Sequence, residues 1–262
     1  MMEDRNFDDL AEKFARKIYA DKKGQIRLAI VWRDLNEFLP ELNAAKPLNI
    51  FDAGGGIGQV SAELASKGHL VVLSDPSEKM LEKARTHAES LGLAPSLVEY
   101  RHEKVQQHPA TNHQKYDVVL FHAVLEWLAD PFSVLQQVMQ FVKPGGALSL
   151  LFYNRHSVVL TNLLKGNFRK VQSGELSGYK NSLTPINPIL PEDVFSFLED
   201  GGYQVEVVSG VRVFNDYMPR AVREERTVED TIVLETQLSR QEPYRSIARY
   251  IHVIVRVPAL DT

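Results

Sequence analysis

Several glycines crowd the turn that follows an acidic residue near position 50. The pattern reads Asp52-x-Gly54-x-Gly56-x-Gly58, and residue 55 is also glycine. Glycine permits positive φ and close approach of the backbone to a ligand, so this turn is typical of a loop that binds a nucleotide-like cofactor. Asp75 follows roughly 20 residues further on, where a carboxylate can accept hydrogen bonds from both hydroxyls of a ribose. Together they predict a cofactor that contains adenosine, although Asp75, in Asp-Pro-Ser, also suits a turn or a helix cap.

The acidic residue before the glycines bears on which cofactor fits. A carboxylate at Asp52 would repel the pyrophosphate of a dinucleotide. It suits a cofactor whose far end carries a cationic amino acid and a sulfonium, as S-adenosylmethionine (SAM) does. The spacing also departs from the Gly-x-Gly-x-x-Gly of dinucleotide folds, because residue 59 is glutamine. A glycine turn with a purely structural role is the alternative.

Strand and helix patterns alternate from residue 48 onward and would position these groups. This alternation predicts an α/β fold, a parallel sheet with helices on both faces. Residues 7–39 predict two helices, which either form a lid over the glycine loop or cover a sheet edge. We predict strands at 48–52, 70–73, 97–100, 117–121, 147–152, 203–214 and 250–257, the last two as an antiparallel pair. We predict the later helices at 57–67, 77–91, 131–141, 191–200 and 228–240.

Composition excludes several classes of function. The 262 residues include no cysteine, which removes disulfides, thiolate metal sites and cysteine nucleophiles. No close grouping of His, Asp and Glu predicts a metal site. The acidic N-terminus is no signal peptide and no apolar stretch could span a bilayer, so we expect a cytoplasmic protein with no membrane contact. The net charge of −4 means that a nucleic-acid partner would need a local basic face.

Two later motifs extend the pattern of the glycine loop and Asp75. The stretch 116–127 and the run Val142-Lys143-Pro144-Gly145-Gly146 follow in the order seen in class I SAM methyltransferases, which the chain resembles. The resemblance implies a seven-stranded, mainly parallel sheet whose last two strands are antiparallel. We divide the chain into a helical lid at 1–46 and a methyltransferase domain at 47–262, with an insertion at about 154–190 that is rich in Asn, Ser, Gly and Lys. Amine methyltransferases often carry Asn/Asp-Pro-Pro-Tyr after the fourth strand, and its absence here argues against amine chemistry.

A closer resemblance covers nearly the whole chain. The motifs lie at 4–9, 24–27, 52–56, 121–127 (Phe-His-Ala-Val-Leu-Glu-Trp), 152–154, 166–168, 210–214 (Gly-Val-Arg-Val-Phe) and 240–244. They resemble the bacterial tRNA 5-carboxymethoxyuridine methyltransferase family. The resemblance implies methyl transfer from SAM to the carboxylate of 5-carboxymethoxyuridine at the tRNA wobble position. It also implies cofactor contacts from Arg27, Gly54, Gly55, Asp75 and His122, and from Glu103 or Lys104.

The residue types agree with several of these roles. Arg27 can donate two hydrogen bonds to the carboxylate of the methionine part of SAM, or be an ordinary solvated helix arginine. His122 fits a hydrogen-bonding role in the pocket. A base role is the less favoured alternative, because a carboxylate acceptor is already ionised at neutral pH. The predicted cofactor site therefore comprises Arg27, Asp52, Gly54, Gly55, Gly56, Asp75, Glu103, Lys104 and His122.

An anionic nucleotide also needs positive and aromatic partners. Among the residues that could position it we favour Tyr153, Arg212 and Arg245. The wider candidates are Arg155, Lys165, Phe168, Arg169, Lys170, Tyr217, Tyr244 and Arg249. Two alternatives stay open, a small-molecule O-methyltransferase of the quinone-biosynthesis kind that uses His122 as base, and a non-catalytic module that binds SAM or tRNA. The sequence indicates no protein partner.

Overall fold

A single sheet of seven strands organises the computed structural model, which describes residues 4–5, 22–109, 115–178 and 185–259. The strand order is β3-β2-β1-β4-β5-β7-β6. The strands are β1 (Asn49–Ala53), β2 (Leu70–Asp75), β3 (Val98–His102), β4 (Tyr116–His122), β5 (Val142–Tyr153), β6 (Gln204–Val211) and β7 (Tyr250–Arg256). All seven predicted strands are present, and the mainly parallel α/β fold is confirmed.

Helices cover both faces of this sheet. Among those described, none combines the length and the hydropathy that a bilayer span requires. The predicted helix that begins at residue 7 lies outside the described residues. The helices are α1 (Lys22–Phe38), α2 (Gln59–Ser66), α3 (Glu78–Ser90), α4 (Pro131–Phe141), α5 (Arg155–Leu164), α6 (Phe168–Ser173), α7 (Pro191–Asp200), α8 (Arg220–Glu225), α9 (Val228–Leu238) and α10 (Tyr244–Ile247).

Alternate side chains of the central strands point to opposite faces of the sheet and pack in two separate hydrophobic cores. Ile50 and Val118 point to the face covered by α1, α2 and α3. Their neighbours Phe51 and Val119 point to the face covered by α4 and α7. Both faces of these strands are buried, which explains why the sequence shows continuous apolar runs rather than polar alternation.

The far end of the sheet contains the antiparallel pair that the sequence predicts. β7 lies between β5 and β6 and runs antiparallel to both. Helix α1 packs on this end, with Ile30 and Leu35 in the same core as Val211 and Ile254. The division into a lid and a methyltransferase domain stays a prediction.

Two regions are more ordered than their sequences indicate. β5 begins at Val142, five positions before the predicted start, because Val142 pairs with Tyr116 before a register shift resumes pairing at Ala147. The predicted insertion contains α5 and α6, and it returns to the sheet through a bridge between Asn154 and Ile189. The Asn154 side chain accepts a hydrogen bond from the His156 amide and caps α5.

Candidate functional site

A cavity of about 290 Å³ opens beyond the carboxyl ends of β1, β2 and β4. β1 and β4 are neighbours although they are not consecutive in sequence. This is the point where the strand order reverses, and α/β folds bind ligands at such a switch point. Six of the predicted cofactor residues line the cavity: Arg27, Gly54, Gly56, Asp75, Lys104 and His122.

The glycine turn forms the floor of the cavity. Gly54 has a φ of +74°, and a Cβ at this position would lie 2.6 Å from Cγ2 of Val124. The amides of Gly54 and Gly55 both donate to the Ser74 carbonyl, at 2.8 and 3.1 Å. Glycine is therefore required at position 54 for backbone conformation and for space.

Asp75 ties the turn to the start of α3. Its two carboxylate oxygens accept hydrogen bonds from the amides of Gly56 and Ser77, at 3.0 and 2.8 Å. Ser77 in turn caps α3 by accepting from the Met80 amide. The turn role and the cavity role that the sequence left as alternatives are thus compatible. Each carboxylate oxygen can accept more than one hydrogen bond, so these two bonds do not exclude bonds from ribose hydroxyls.

Two predicted residues, Asp52 and Gly55, lie behind the turn and do not line the cavity. Asp52 is buried and accepts a 2.5 Å hydrogen bond from the Ser61 hydroxyl. A Cβ on Gly55 would lie 2.5 Å from Oδ2 of Asp52. Burial raises the pKa of Asp52 to about 7, with a smaller rise from the charge of Asp75 and an opposing effect of the Ser61 bond.

Arg27 on α1 and His122 at the end of β4 both line the cavity. The Arg27 guanidinium is buried and lies 5.9 Å from the centre of the Tyr250 ring. Nε2 of His122 lies 2.8 Å from the Ser149 hydroxyl. Burial lowers the pKa of His122 well below its usual value, and the positive charge of Arg27 lowers it further. His122 is therefore neutral at physiological pH.

The structure separates the two candidates that follow β3. Lys104 lines the cavity. Glu103 turns to His108, whose Nδ1 lies 2.7 Å from Oε1 of the glutamate. The geometry thus brings Lys104 rather than Glu103 to the cavity.

The N-terminal segment contributes residues to which sequence reasoning gave no role. Asp4 and Arg5 line the cavity together with Trp127. The Asp4 carboxylate accepts from the Gln106 side chain at 2.8 Å, and the Arg5 amide donates to the Trp127 carbonyl at 3.1 Å. The one available signal was that 4–9 and 121–127 both belong to the family motifs. No spacing rule predicts that these motifs meet.

Tyr153, Tyr250, Arg212 and Arg249 form a second group, which we call the tyrosine–arginine cluster. The two rings are 4.9 Å apart, Arg249 lies 5.0 Å from the Tyr153 ring, and Arg212 lies 5.2 Å from the Tyr250 ring. Arg27 packs on the same Tyr250 ring, so the cluster adjoins the cavity. Arg212 has a φ of +61°, a conformation that costs free energy in a non-glycine residue and is enriched at functional sites.

The cluster carries more positive than negative charge. Asp216 pairs with Arg212 at 2.7 Å and with Lys23 at 3.2 Å, and the Arg249 charge also acts on it. One carboxylate therefore faces three cations. Arg245, the other predicted positioning arginine, instead pairs with Glu242 at 2.7 Å.

Comparisons with known proteins add an independent finding. A family model described as "Methyltransferase domain" matches residues 51–150. The chain is 44% identical over 257 residues to the tRNA 5-carboxymethoxyuridine methyltransferase of Escherichia coli (strain K12), covering 98% of each chain. It is 37% identical over 107 residues to the ubiquinone biosynthesis O-methyltransferase of Salmonella arizonae, covering 41% of this chain and 43% of that protein.

Solved structures show the same fold at low identity. A magnesium protoporphyrin IX methyltransferase from Synechocystis PCC 6803 with bound SAH matches with a TM-score of 0.64, 18% identity and 95% coverage of both chains. A methyltransferase in complex with the Trm112 activator of Haloferax volcanii matches with a TM-score of 0.62 and 16% identity, covering 98% of this chain and 100% of that one. The class I methyltransferase fold predicted from the motifs is thus confirmed.

Proposed function

Because this chain belongs to the tRNA 5-carboxymethoxyuridine methyltransferase family, we propose that it methylates the carboxylate of 5-carboxymethoxyuridine at the wobble position of tRNA. The methyl donor is SAM, and the products are the methyl ester and S-adenosylhomocysteine. The observation that carries the proposal is the similarity to the E. coli enzyme over the full length. A tRNA substrate also implies that the enzyme acts in the cytoplasm.

The residues around the cavity fit SAM in charge and shape. Arg27 would hold the carboxylate of the methionine part, Asp75 the ribose hydroxyls, and Gly54 and Gly56 the closely approaching backbone. Lys104 and His122 complete the walls. When bound, SAM supplies an electrophilic methyl group on its sulfonium. The chain itself must exclude water and align the attacking oxygen with that methyl.

The tyrosine–arginine cluster supports an anionic acceptor. Its excess positive charge would offset the charge of the substrate carboxylate, and Arg212 could donate two parallel hydrogen bonds to it. Burial raises the pKa of Tyr153 well above its usual value, so its hydroxyl keeps its proton and can donate a hydrogen bond to the carboxylate. The acceptor carboxylate needs no general base, because its ordinary pKa of about 4 leaves it ionised at neutral pH.

A labelling experiment tests the proposal directly. The enzyme is incubated with methyl-labelled SAM and either tRNA bearing 5-carboxymethoxyuridine, the same tRNA without the modification, or a lipid-quinone precursor. We expect label only in the modified tRNA, released by mild alkali because esters hydrolyse. Label confined to the quinone precursor would favour the small-molecule alternative and contradict the proposal. Tight SAM binding without any ester would indicate a non-catalytic module.

Two variants separate the cofactor site from the acceptor site. We expect Asp75→Ala to abolish SAM binding in isothermal titration, because it removes an acceptor and releases the glycine turn. Arg212→Lys keeps a positive charge beside Asp216 but removes the guanidinium that can donate two parallel hydrogen bonds. We therefore expect unchanged SAM affinity and a turnover on tRNA that is lower by about tenfold or more. Unchanged SAM affinity in Asp75→Ala would overturn the cofactor assignment.

A further inference from the structure

Four polar side chains connect the cavity wall with the helix on one face of the sheet. They are His122 on β4, Ser149 on β5, His252 on β7 and Asp34 on α1, and we call them the polar relay. His122 Nε2 lies 2.8 Å from Ser149 Oγ, Ser149 Oγ lies 2.8 Å from His252 Nε2, and His252 Nδ1 lies 2.8 Å from Asp34 Oδ2. Asp34, Ser149 and His252 are fully buried. Such a row inside an apolar core demands that every donor meet an acceptor.

The Asp34 end fixes the direction of the first hydrogen bond. Its Oδ1 accepts from Arg33 and Arg240, each at 2.7 Å. Burial, the largest influence, would raise the pKa of Asp34, but the hydrogen bonds from His252 and Arg240 and the charge of Arg33 together hold it well below its ordinary value. Asp34 is therefore an ionised acceptor. Nδ1 of His252 must carry a hydrogen and donate it.

The charge around Asp34 fixes the next step. Arg33 and Arg240 already balance the two carboxylates they contact, Asp34 and Glu37, and an imidazolium at His252 would add a third cation in a fully buried site, which is costly. The arrangement with the fewest buried charges leaves Nε2 of His252 without a hydrogen, so this atom accepts. The Ser149 hydroxyl then donates to His252, so its oxygen accepts from His122. Since His122 is neutral, its hydrogen lies on Nε2.

We propose that Asp34, His252 and Ser149 are positioning residues that hold the proton of His122 on Nε2 and so present the Nδ1 lone pair to the cavity. The meaning for the cofactor rests on the proposed function. SAM carries two cationic groups, an α-ammonium and a sulfonium. A lone pair on the wall suits such a ligand, whereas an N–H or an imidazolium there would oppose its charge.

The variant Asp34→Asn tests the relay by reversing it. Two guanidiniums donate to Oδ1, so the amide oxygen must take that place and the NH₂ must face Nδ1 of His252. His252 then carries its hydrogen on Nε2 and donates to Ser149, Ser149 donates to His122, and His122 carries its hydrogen on Nδ1. We expect ¹⁵N NMR of histidine-labelled protein to show His122 as the Nε2–H tautomer in the parent and the Nδ1–H tautomer in the variant.

Three further measurements make the test decisive. Ser149→Ala removes the constraint without touching Asp34, and we expect the Nδ1–H form of His122 to appear. Ser209→Ala is the matched control, because the Ser209 hydroxyl accepts from the same Arg33 and Arg240 but lies outside the relay. We expect it to leave the tautomer unchanged. SAM affinity should fall about tenfold to a hundredfold in Asp34→Asn, the effect of one charge-assisted hydrogen bond.

Each outcome bears on a separate part of the proposal. A parent His122 with its hydrogen on Nδ1, or an unchanged tautomer in either Asp34→Asn or Ser149→Ala, overturns the relay. A switched tautomer with unchanged SAM affinity overturns its role in cofactor binding. The tautomer is read without tRNA, so failure of the labelling experiment on tRNA would reject the proposed substrate and leave the relay standing.

Discussion

Burial gives two carboxyl groups near the cavity a pKa close to the physiological range. The pKa of Glu126 rises from 4.5 to about 7, chiefly through desolvation, with opposing effects of two backbone hydrogen bonds and the charge of Arg27. The pKa of Asp52 beneath the glycine turn also rises to about 7. Sequence patterns predicted neither value, because both arise from neighbours that the fold assembles from distant segments.

The raised pKa of Glu126 makes stability depend on pH. The folded state binds this proton more tightly than the unfolded state does, so the contribution of Glu126 to the free energy of unfolding is fully present below about pH 4.5 and is lost as pH rises through about 7. Glu126→Gln removes this loss. We expect urea denaturation to find the variant more stable than its parent by about 3 kcal/mol at about pH 8, and close to its parent at about pH 4.5.

A matched control distinguishes this effect from a general change of charge. Glu82 is exposed on α3, and Glu82→Gln should alter stability little at either pH. If the difference between Glu126→Gln and its parent were the same at both pH values, the glutamate would not be the titrating group.

At the scale of elements, local signals predicted most of the sheet and its helices. Apolar runs bounded by Gly, Pro and Asp set β1, β2 and β4 within two residues, because these signals are local in the chain. Helices α5 and α6 were missed, since their polar composition matches a loop and Asn154 gains its capping role only once the chain turns there. Neither the tyrosine–arginine cluster nor the polar relay was predictable, because both join residues from distant elements.

The glycine turn offers a test at the element scale. Gly54→Ala adds a methyl group 2.6 Å from Val124 and places alanine at a φ of +74°. We expect stability to fall by more than the roughly 1–2 kcal/mol that positive φ costs an alanine, and SAM affinity to fall at least tenfold because the turn must move. Urea denaturation and calorimetric titration measure the two effects.

Gly92 provides the control for backbone strain alone. It has a φ of +68° with no neighbouring atom within 4 Å of an added Cβ. Gly92→Ala should therefore lose about 1–2 kcal/mol of stability and keep SAM affinity. Restoration of binding in Gly54→Ala by a second change, Val124→Ala, would identify the side-chain contact as the cause. Equal reductions of affinity in both alanine variants would contradict it.

The molecule has a negative net charge, but one of its surface segments is basic. The segment 155–173 contains Arg155, Lys165, Arg169 and Lys170 but no Asp or Glu. Lys165 and Arg169 are exposed, as is 60% of Phe168. Thr161 in this segment accepts a hydrogen bond from Arg249 at 3.0 Å, which joins the segment to the tyrosine–arginine cluster. Positive charge beside an exposed aromatic ring suits an unstacked, single-stranded stretch of RNA.

Salt dependence tests whether this surface meets tRNA. Removing one cation that neutralises a phosphate of a single strand reduces the slope of log Kd against log salt by about 0.7. We expect the double variant Lys165→Gln/Arg169→Gln to reduce the slope by about 1.4 in a filter-binding assay. Lys46→Gln/Lys67→Gln removes two exposed charges that precede β1 and β2. They lie near the amino ends of the strands, away from the segment 155–173 that follows the carboxyl end of β5, so we expect this double variant to leave the slope unchanged. Equal slopes for both double variants would place the tRNA elsewhere.

The position of β7 also determines the order in which the last strands of a newly synthesised chain can join the sheet. β6 cannot join the sheet before residues 250–256 are made, because β7 lies between β6 and β5. Until then one edge of β5 presents unpaired backbone groups among apolar side chains. Ribosomes add about 5 to 20 residues per second, so this state lasts on the order of seconds. During that interval the nascent protein exposes the kind of strand edge that pairs with other chains, and the polar relay behind His122 still lacks His252.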